Sequence, residues 1–273
     1  MLHQKILFPG LGLLTLLASL LAGTASAAPL KIGANPGPTG DTVAIAAAEA
    51  KRQGLDVEVV EITDWTTPNV ALQAGDLDLN FFQHKAFLDN ATATAKYKFA
   101  IAGQGFLPSI GLFSSKIKSL KELKNGATVA VANDPVNQAR GLLLAQSAGL
   151  ITLKAGSGSK ATVHDIVSNP KQLKFIEIEG PQLVRALDDV DIAQGYPARF
   201  VTAGKPEIAG KGLVYTTLND TDYTILFVAR QDNVNDPRVQ KFVKIYQNSK
   251  AVSDKIAALY LNDTRLYSLP WKK

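Results

Sequence analysis

Apolar positions recur along this chain in a steady rhythm. A short apolar run is followed by a turn rich in Gly, Pro, Asn or Asp, and then by apolar residues three and four apart. Leu30-Lys31-Ile32-Gly33 predicts a first strand, and Asn35-Pro36-Gly37-Pro38-Thr39-Gly40 a turn. Val43, Ala46, Ala47 and Ala50 then share one face of a helix over about 41–53, with Gly54 as its stop. Val57-Glu58-Val59-Val60-Glu61-Ile62 alternates as a strand does. Strand, helix and strand in that order make a βαβ unit, and a connection of this length predicts a parallel sheet.

The rhythm continues. Thr63-Asp64-Trp65-Thr66-Thr67-Pro68 leads into a helix through about Gln73, and Leu77-Asp78-Leu79-Asn80-Phe81-Phe82 predicts a third strand with Gln83-His84 at its carboxyl end. Phe99-Ala100-Ile101-Ala102 is a further strand and Ile110-Gly111-Leu112-Phe113-Ser114 a crossing segment. A second α/β unit starts at Thr128 to Ala132, an apolar strand running into a helix. Asp134 is placed to cap that helix, Pro135 suits its first position, and Gly149 can end it. Phe175 to Ile178 and Val190 to Ala193 read as strands flanking a helix over 182–187. Tyr223 to Ala229 reads as a strand returning to the first unit, followed by a helix with Val239, Phe242, Val243 and Tyr246 on its core face and a tail that packs back through Trp271.

Composition narrows the class. The first residues are a leader rather than mature structure: Lys5, an apolar run from about Leu11 to Leu21, then Ala25-Ser26-Ala27 as a cleavage signature. With the leader removed after Ala27, about 245 residues remain, enough for one large domain or two of about 120. The chain has no cysteine, which excludes disulfides and thiolate metal sites. It also excludes lipid attachment to a cysteine at Thr24, where a lipoprotein-like signal ends, so the expectation is a soluble periplasmic protein without a lipid anchor. The net charge of +5 comes from Lys and Arg scattered among acidic residues. No basic run interleaved with aromatics points to nucleic acid.

The candidate chemistry gathers at the carboxyl ends of the predicted strands, where open α/β domains bind ligands. Asn137 and Arg140 lie three apart on one side of a helix close to its start, and an Arg there can grip a carboxylate with two parallel hydrogen bonds. Trp65, Phe82, His84 and Phe87 are candidates for an apolar pocket with His84 as a polar tip, and Tyr196 is placed to close over a ligand from the second unit. Gly156-Ser157-Gly158-Ser159-Lys160 lacks the spacing of a phosphate-binding loop. The chain offers no Gly-x-Ser-x-Gly turn, no Cys nucleophile and no paired-His metal spacing, so neither catalysis nor a cofactor is expected. An enzyme pairing His84 with Asp64, and a sensor presenting a closed form to a membrane receptor, are the alternatives.

Four stretches carry a resemblance. They are Thr63-Asp64-Trp65-Thr66-Thr67-Pro68-Asn69-Val70-Ala71-Leu72, Leu77-Asp78-Leu79-Asn80-Phe81-Phe82-Gln83-His84, Asn133-Asp134-Pro135-Val136-Asn137-Gln138-Ala139-Arg140 and Arg185-Ala186-Leu187-Asp188-Asp189-Val190-Asp191. In that order they resemble the methionine-binding lipoprotein (NlpA-type) family, the periplasmic binding components of methionine ABC importers. The resemblance implies an α/β, two-lobed, type II-like periplasmic binding protein with two chain crossovers and the ligand between the lobes. Lobe I is expected over 28–112 and 223–273, and lobe II over 113–222. It implies a carboxylate clamp at Arg140, a polar contact at Asn137, and Phe82, His84, Phe87, Trp65, Tyr196 and Tyr223 around the ligand. It also implies a permease and ATPase complex as partners of a monomer. Relatives carry Tyr where this chain has Trp65 and Phe87. They also carry Asn-Gly-Asn where this chain reads Tyr196-Pro197-Ala198, an Asn near Ile225, and Glu-Pro near Pro108-Ser109. Methionine, another sulfur-containing or apolar amino acid, a short peptide, or an organic acid with no amino group all fit an Arg with aromatics.

Overall fold

The computed structural model describes Met1 and residues 28–272, so the predicted leader lies outside the described residues. Two five-stranded sheets carry the fold. In the first the order is Val57–Glu61, Leu30–Ala34, Leu79–His84, Ile225–Arg230 and Phe99–Gln104. The first three strands are parallel and Ile225–Arg230 runs against both its neighbours. The second sheet repeats the plan with Lys174–Ile178, Thr128–Ala132 and Ile192–Gly195 parallel, then Gly111–Phe113 and Val214–Tyr215 antiparallel. The chain crosses from the first sheet to the second before Gly111 and returns between Tyr215 and Ile225, which makes the two crossovers of a two-lobed α/β protein. Gly111 and Leu112 pair in the second sheet, so the first crossing falls slightly earlier than the sequence suggests.

Each lobe has its own core. Phe81 stacks on Phe227 at 4.0 Å between centroids, and Tyr246 meets both rings edge-on. These rings come from the third strand, the returning strand and the Pro237–Asn248 helix. In the second lobe Val129 and Val131 face one side of their strand, Ala130 and Ala132 the other, and all four are buried. That is the pattern of a strand covered on both faces.

Local chemistry sets the helix ends near the cleft. Asp134 Oδ1 accepts from the Asn137 backbone N–H at 2.9 Å, and Pro135 opens the Pro135–Ser147 helix. Gly149 takes φ +72° just beyond that helix, a conformation that favours glycine. The third strand runs two residues further than its apolar run, through Gln83 and His84. His84 is therefore both the last strand residue and the cap of the Lys85–Ala95 helix. The Pro197–Thr202 helix belongs to the second half by sequence, yet Ala198 is buried in the core of the first lobe. Trp271 Nε1 donates to the Gln247 carbonyl at 2.7 Å and fastens the tail.

Candidate functional site

The carboxyl ends of the strands in both sheets face a cavity with about 510 Å³ of empty space, part of it open to solvent. From the first lobe come Trp65, Phe82, His84 and Phe87, joined by Phe106 and Tyr260; from the second come Asn137, Tyr196 and Arg199. Phe82 and Phe87 meet edge to face at 5.8 Å, giving an apolar slot. Trp65 reaches across the cleft onto Gly180, where a Cβ would fall inside the indole ring.

His84 organises the polar end. Its Nδ1 accepts from the Phe87 N–H at 3.2 Å, which puts the ring proton on Nε2, facing Asn137 Oδ1 at 3.2 Å. Burial, with the Arg140 charge nearby, pushes His84 down to about 3, so the ring is neutral at ordinary pH. The Asn137 amide is then fully engaged: Nδ2 donates to the Asp134 carboxylate at 3.0 Å, and Oδ1 also accepts from the Tyr196 hydroxyl at 3.2 Å. Gln194 locks the backbone beneath, with Nε2 donating to the Asn137 carbonyl at 2.8 Å and Oε1 accepting from the Ala132 N–H at 3.1 Å.

Arg140 is 4% exposed, yet no carboxylate pairs with it among the described residues. One terminal nitrogen donates to the Pro108 carbonyl at 3.0 Å and the other to the Tyr196 hydroxyl at 3.3 Å, while buried Nε has no acceptor. Tyr223 stacks on the guanidinium with 3.9 Å from Cζ to the ring centroid. A buried cation with no counter-charge costs several kcal/mol, and the arrangement leaves donors for an anion from outside.

Six of the sequence candidates (Trp65, Phe82, His84, Phe87, Asn137 and Tyr196) stand together on the cavity wall. Arg140 and Tyr223 sit behind it, at van der Waals distance from one another and reached through Tyr196. Asp64, the partner of the enzyme alternative, accepts from the Thr66 and Thr67 backbone N–H groups at 2.7 Å each, and it is not on the wall. The sequence reading missed Arg199, which the structure puts on the wall with its guanidinium 5.7 Å from the Trp65 ring centroid. Burial pulls this group below the ordinary arginine value. Its signal was present, since Arg199 follows a strand end and a helix-opening Pro197 much as Arg140 follows Ala132 and Pro135.

The family described as NlpA lipoprotein matches residues 30–266. The D-methionine-binding lipoprotein MetQ of Yersinia pestis is 43% identical over 222 residues, covering 81% of this chain and 82% of its own. Among solved structures, a nutrient binding protein from Burkholderia cenocepacia bound to methionine superposes with TM-score 0.80 at 39% identity, covering 85% of this chain and 97% of its own. An ABC transporter periplasmic substrate-binding protein from Coxiella burnetii gives 0.78 at 36%, with the same coverage. These names correct one expectation, that of a protein without a lipid anchor: the family and its relatives are named lipoproteins. The expectation rested on one missing residue type in a segment outside the described residues. The matches span both lobes, and this chain belongs to the NlpA lipoprotein family.

Proposed function

We propose that this chain is the periplasmic substrate-binding component of an ABC importer and takes a small amino-acid-like acid, methionine or a related compound, into the cleft between its lobes. The observation that carries the reading is Arg140, a buried guanidinium with no carboxylate partner among the described residues and an unpaired Nε, set behind Tyr196 at the polar end of a largely aromatic cavity. A ligand carboxylate takes the free donor and competes for the one held by the Tyr196 hydroxyl at 3.3 Å, a long and weak bond. Asn137 and His84 complete the polar end, and Phe82, Phe87 and Trp65 surround the apolar body. Relatives named for methionine binding support this class of ligand.

The two lobes, between which the chain crosses before Gly111 and again between Tyr215 and Ile225, give one cleft two states. An open form admits the ligand, and contacts to both lobes favour the closed form by their differential affinity. Capture alters no bond in the ligand, which agrees with a family of binding proteins and with a His84 kept neutral and bonded only within the wall. The monomer delivers its ligand to a permease and ATPase; the reading involves no cofactor, metal or nucleic acid.

Native mass spectrometry of the protein taken from periplasm, followed by identification of the molecule released on denaturation, tests the reading. An amino-acid-like acid recovered unchanged supports it. A ligand lacking any acid group, or one converted on standing with the protein, overturns it. Deleting the chain's gene separates transport from signalling: a transport component abolishes uptake, whereas a sensor loses only the response.

A further inference from the structure

Arg199 is a cation on the cavity wall without a carboxylate partner among the described residues. It projects from the Pro197–Thr202 helix and is half-buried. Among the described residues its side chain donates no hydrogen bond and pairs with no carboxylate, and its one marked contact is the face of Trp65. Trp65 Nε1 is itself buried with no acceptor. The two side chains also border a small recess beside the main cavity, together with Asn137 and Tyr196. Two unused donors, one of them charged, thus share one wall.

The amide and imidazole acceptors on that wall already receive hydrogen bonds, with one lone pair left on Gln83 Oε1 and the Thr39 hydroxyl oxygen on the same wall. Asn137 Oδ1 accepts from His84 and Tyr196, Gln83 Oε1 accepts from Asn69 at 3.0 Å, and His84 Nδ1 accepts from Phe87. Neither cavity has an Asp or Glu on its wall. An ammonium group brings three donors and a positive charge and needs acceptors or an anion around it. Here it would meet mostly engaged acceptors, no carboxylate, and the charge of Arg199 with Arg140 behind it. An oxygen-bearing group has the opposite requirement and matches both free donors.

We infer that Arg199 and Trp65 form a donor subsite for a second oxygen-bearing group, so that the ligand is a small organic acid without a free ammonium, such as a hydroxy, oxo or N-acylated acid with an apolar or thioether body. The inference rests on the cleft being an acid-binding site and deepens that reading by assigning its second polar contact. Arg199 acts as a specificity residue in direct contact with the ligand.

Isothermal titration of the mature protein, freed of bound ligand, tests this with a set that shares one side chain: methionine, N-acetylmethionine, the hydroxy acid that replaces its amine by hydroxyl, and the amine that lacks its carboxylate. The expected result is that the hydroxy or N-acetyl acid binds at least about tenfold more tightly than methionine and that the amine does not bind. Arg199→Gln should remove about tenfold or more of the affinity for the favoured acid, the scale of a charged hydrogen bond, and Arg199→Lys should restore part of it. Methionine binding as tightly as the ammonium-free acids, or Arg199→Gln leaving every affinity unchanged in a folded protein, overturns the inference while the acid-binding reading stands. Binding of none of the four, or of the amine alone, removes the acid-binding reading and the inference with it.

Discussion

Acidification from about pH 7 to about pH 5 should destabilise the protein by about 2 kcal/mol through His84 alone. The ring is buried and neutral, and its pKa falls from 6.5 in the unfolded chain to about 3 in the folded one. Between those two values the unfolded chain holds one proton more, so stability is fully present above pH 6.5 and declines as pH falls toward 3, by about 1.4 kcal/mol per pH unit. The structural cause is specific. A proton on Nδ1 would deprive the Phe87 N–H of its acceptor and place a second positive charge beside Arg140. Urea unfolding at several pH values reads the slope directly. The same series on His84→Gln, which does not titrate in this range, should lose stability at the outset but show a shallower pH dependence. Equal slopes in the two proteins would refute the assignment and move the acid sensitivity to other groups.

Arg140→Met should weaken binding of the cognate acid by about 1.5 to 3 kcal/mol in calorimetry, while the ligand-free protein unfolds at the same temperature or higher, because a buried unpaired cation has been removed; unchanged affinity would reject the clamp. Gly180→Ala puts a methyl group where the Trp65 ring lies and should hinder closure, seen as weaker binding with an unaltered fold by circular dichroism; unaltered affinity would show that Trp65 does not need this seat. Gly141→Ala drives a Cβ into the Gln194 amide that holds the Asn137 carbonyl, and should cost about 1 to 3 kcal/mol in urea unfolding.

The strands and their order of succession were legible because each is short, apolar and bounded by turn residues: Thr128–Ala132 begins and ends where its pattern does. Other boundaries moved where tertiary pairing overrode the pattern. Gln83 and His84 join the third strand because His84 pairs with Ile225 across the sheet, a contact from far along the chain. The 182–187 helix divides into a 3₁₀ turn over Gly180–Gln182 and a short α-helix over Leu183–Ala186, with Pro181 at the start. At the site, the aromatic slot and Asn137 followed from strand-end logic. That Arg140 would lie behind Tyr196 and Tyr223 did not, because it depends on Pro108 and on a tyrosine from the returning segment. Arg199 lies in the turn after Tyr196 and Pro197, where its place obeys the rule that singled out Arg140 but its side chain could equally have faced solvent from so short a helix.

The Pro197–Thr202 helix presents Arg199 to the cavity and buries Ala198 in the core of the opposite lobe. Six residues thus carry both the part of the wall that meets the ligand and the part that meets the other lobe. A new ligand preference acquired here changes how firmly the lobes hold together at the same stroke. Variation in this segment should therefore be constrained from two directions, with Ala198 kept small by the lobe core and Arg199 kept by the ligand it faces. A dye placed on this helix would report occupancy through lobe movement even for a ligand that never touches it.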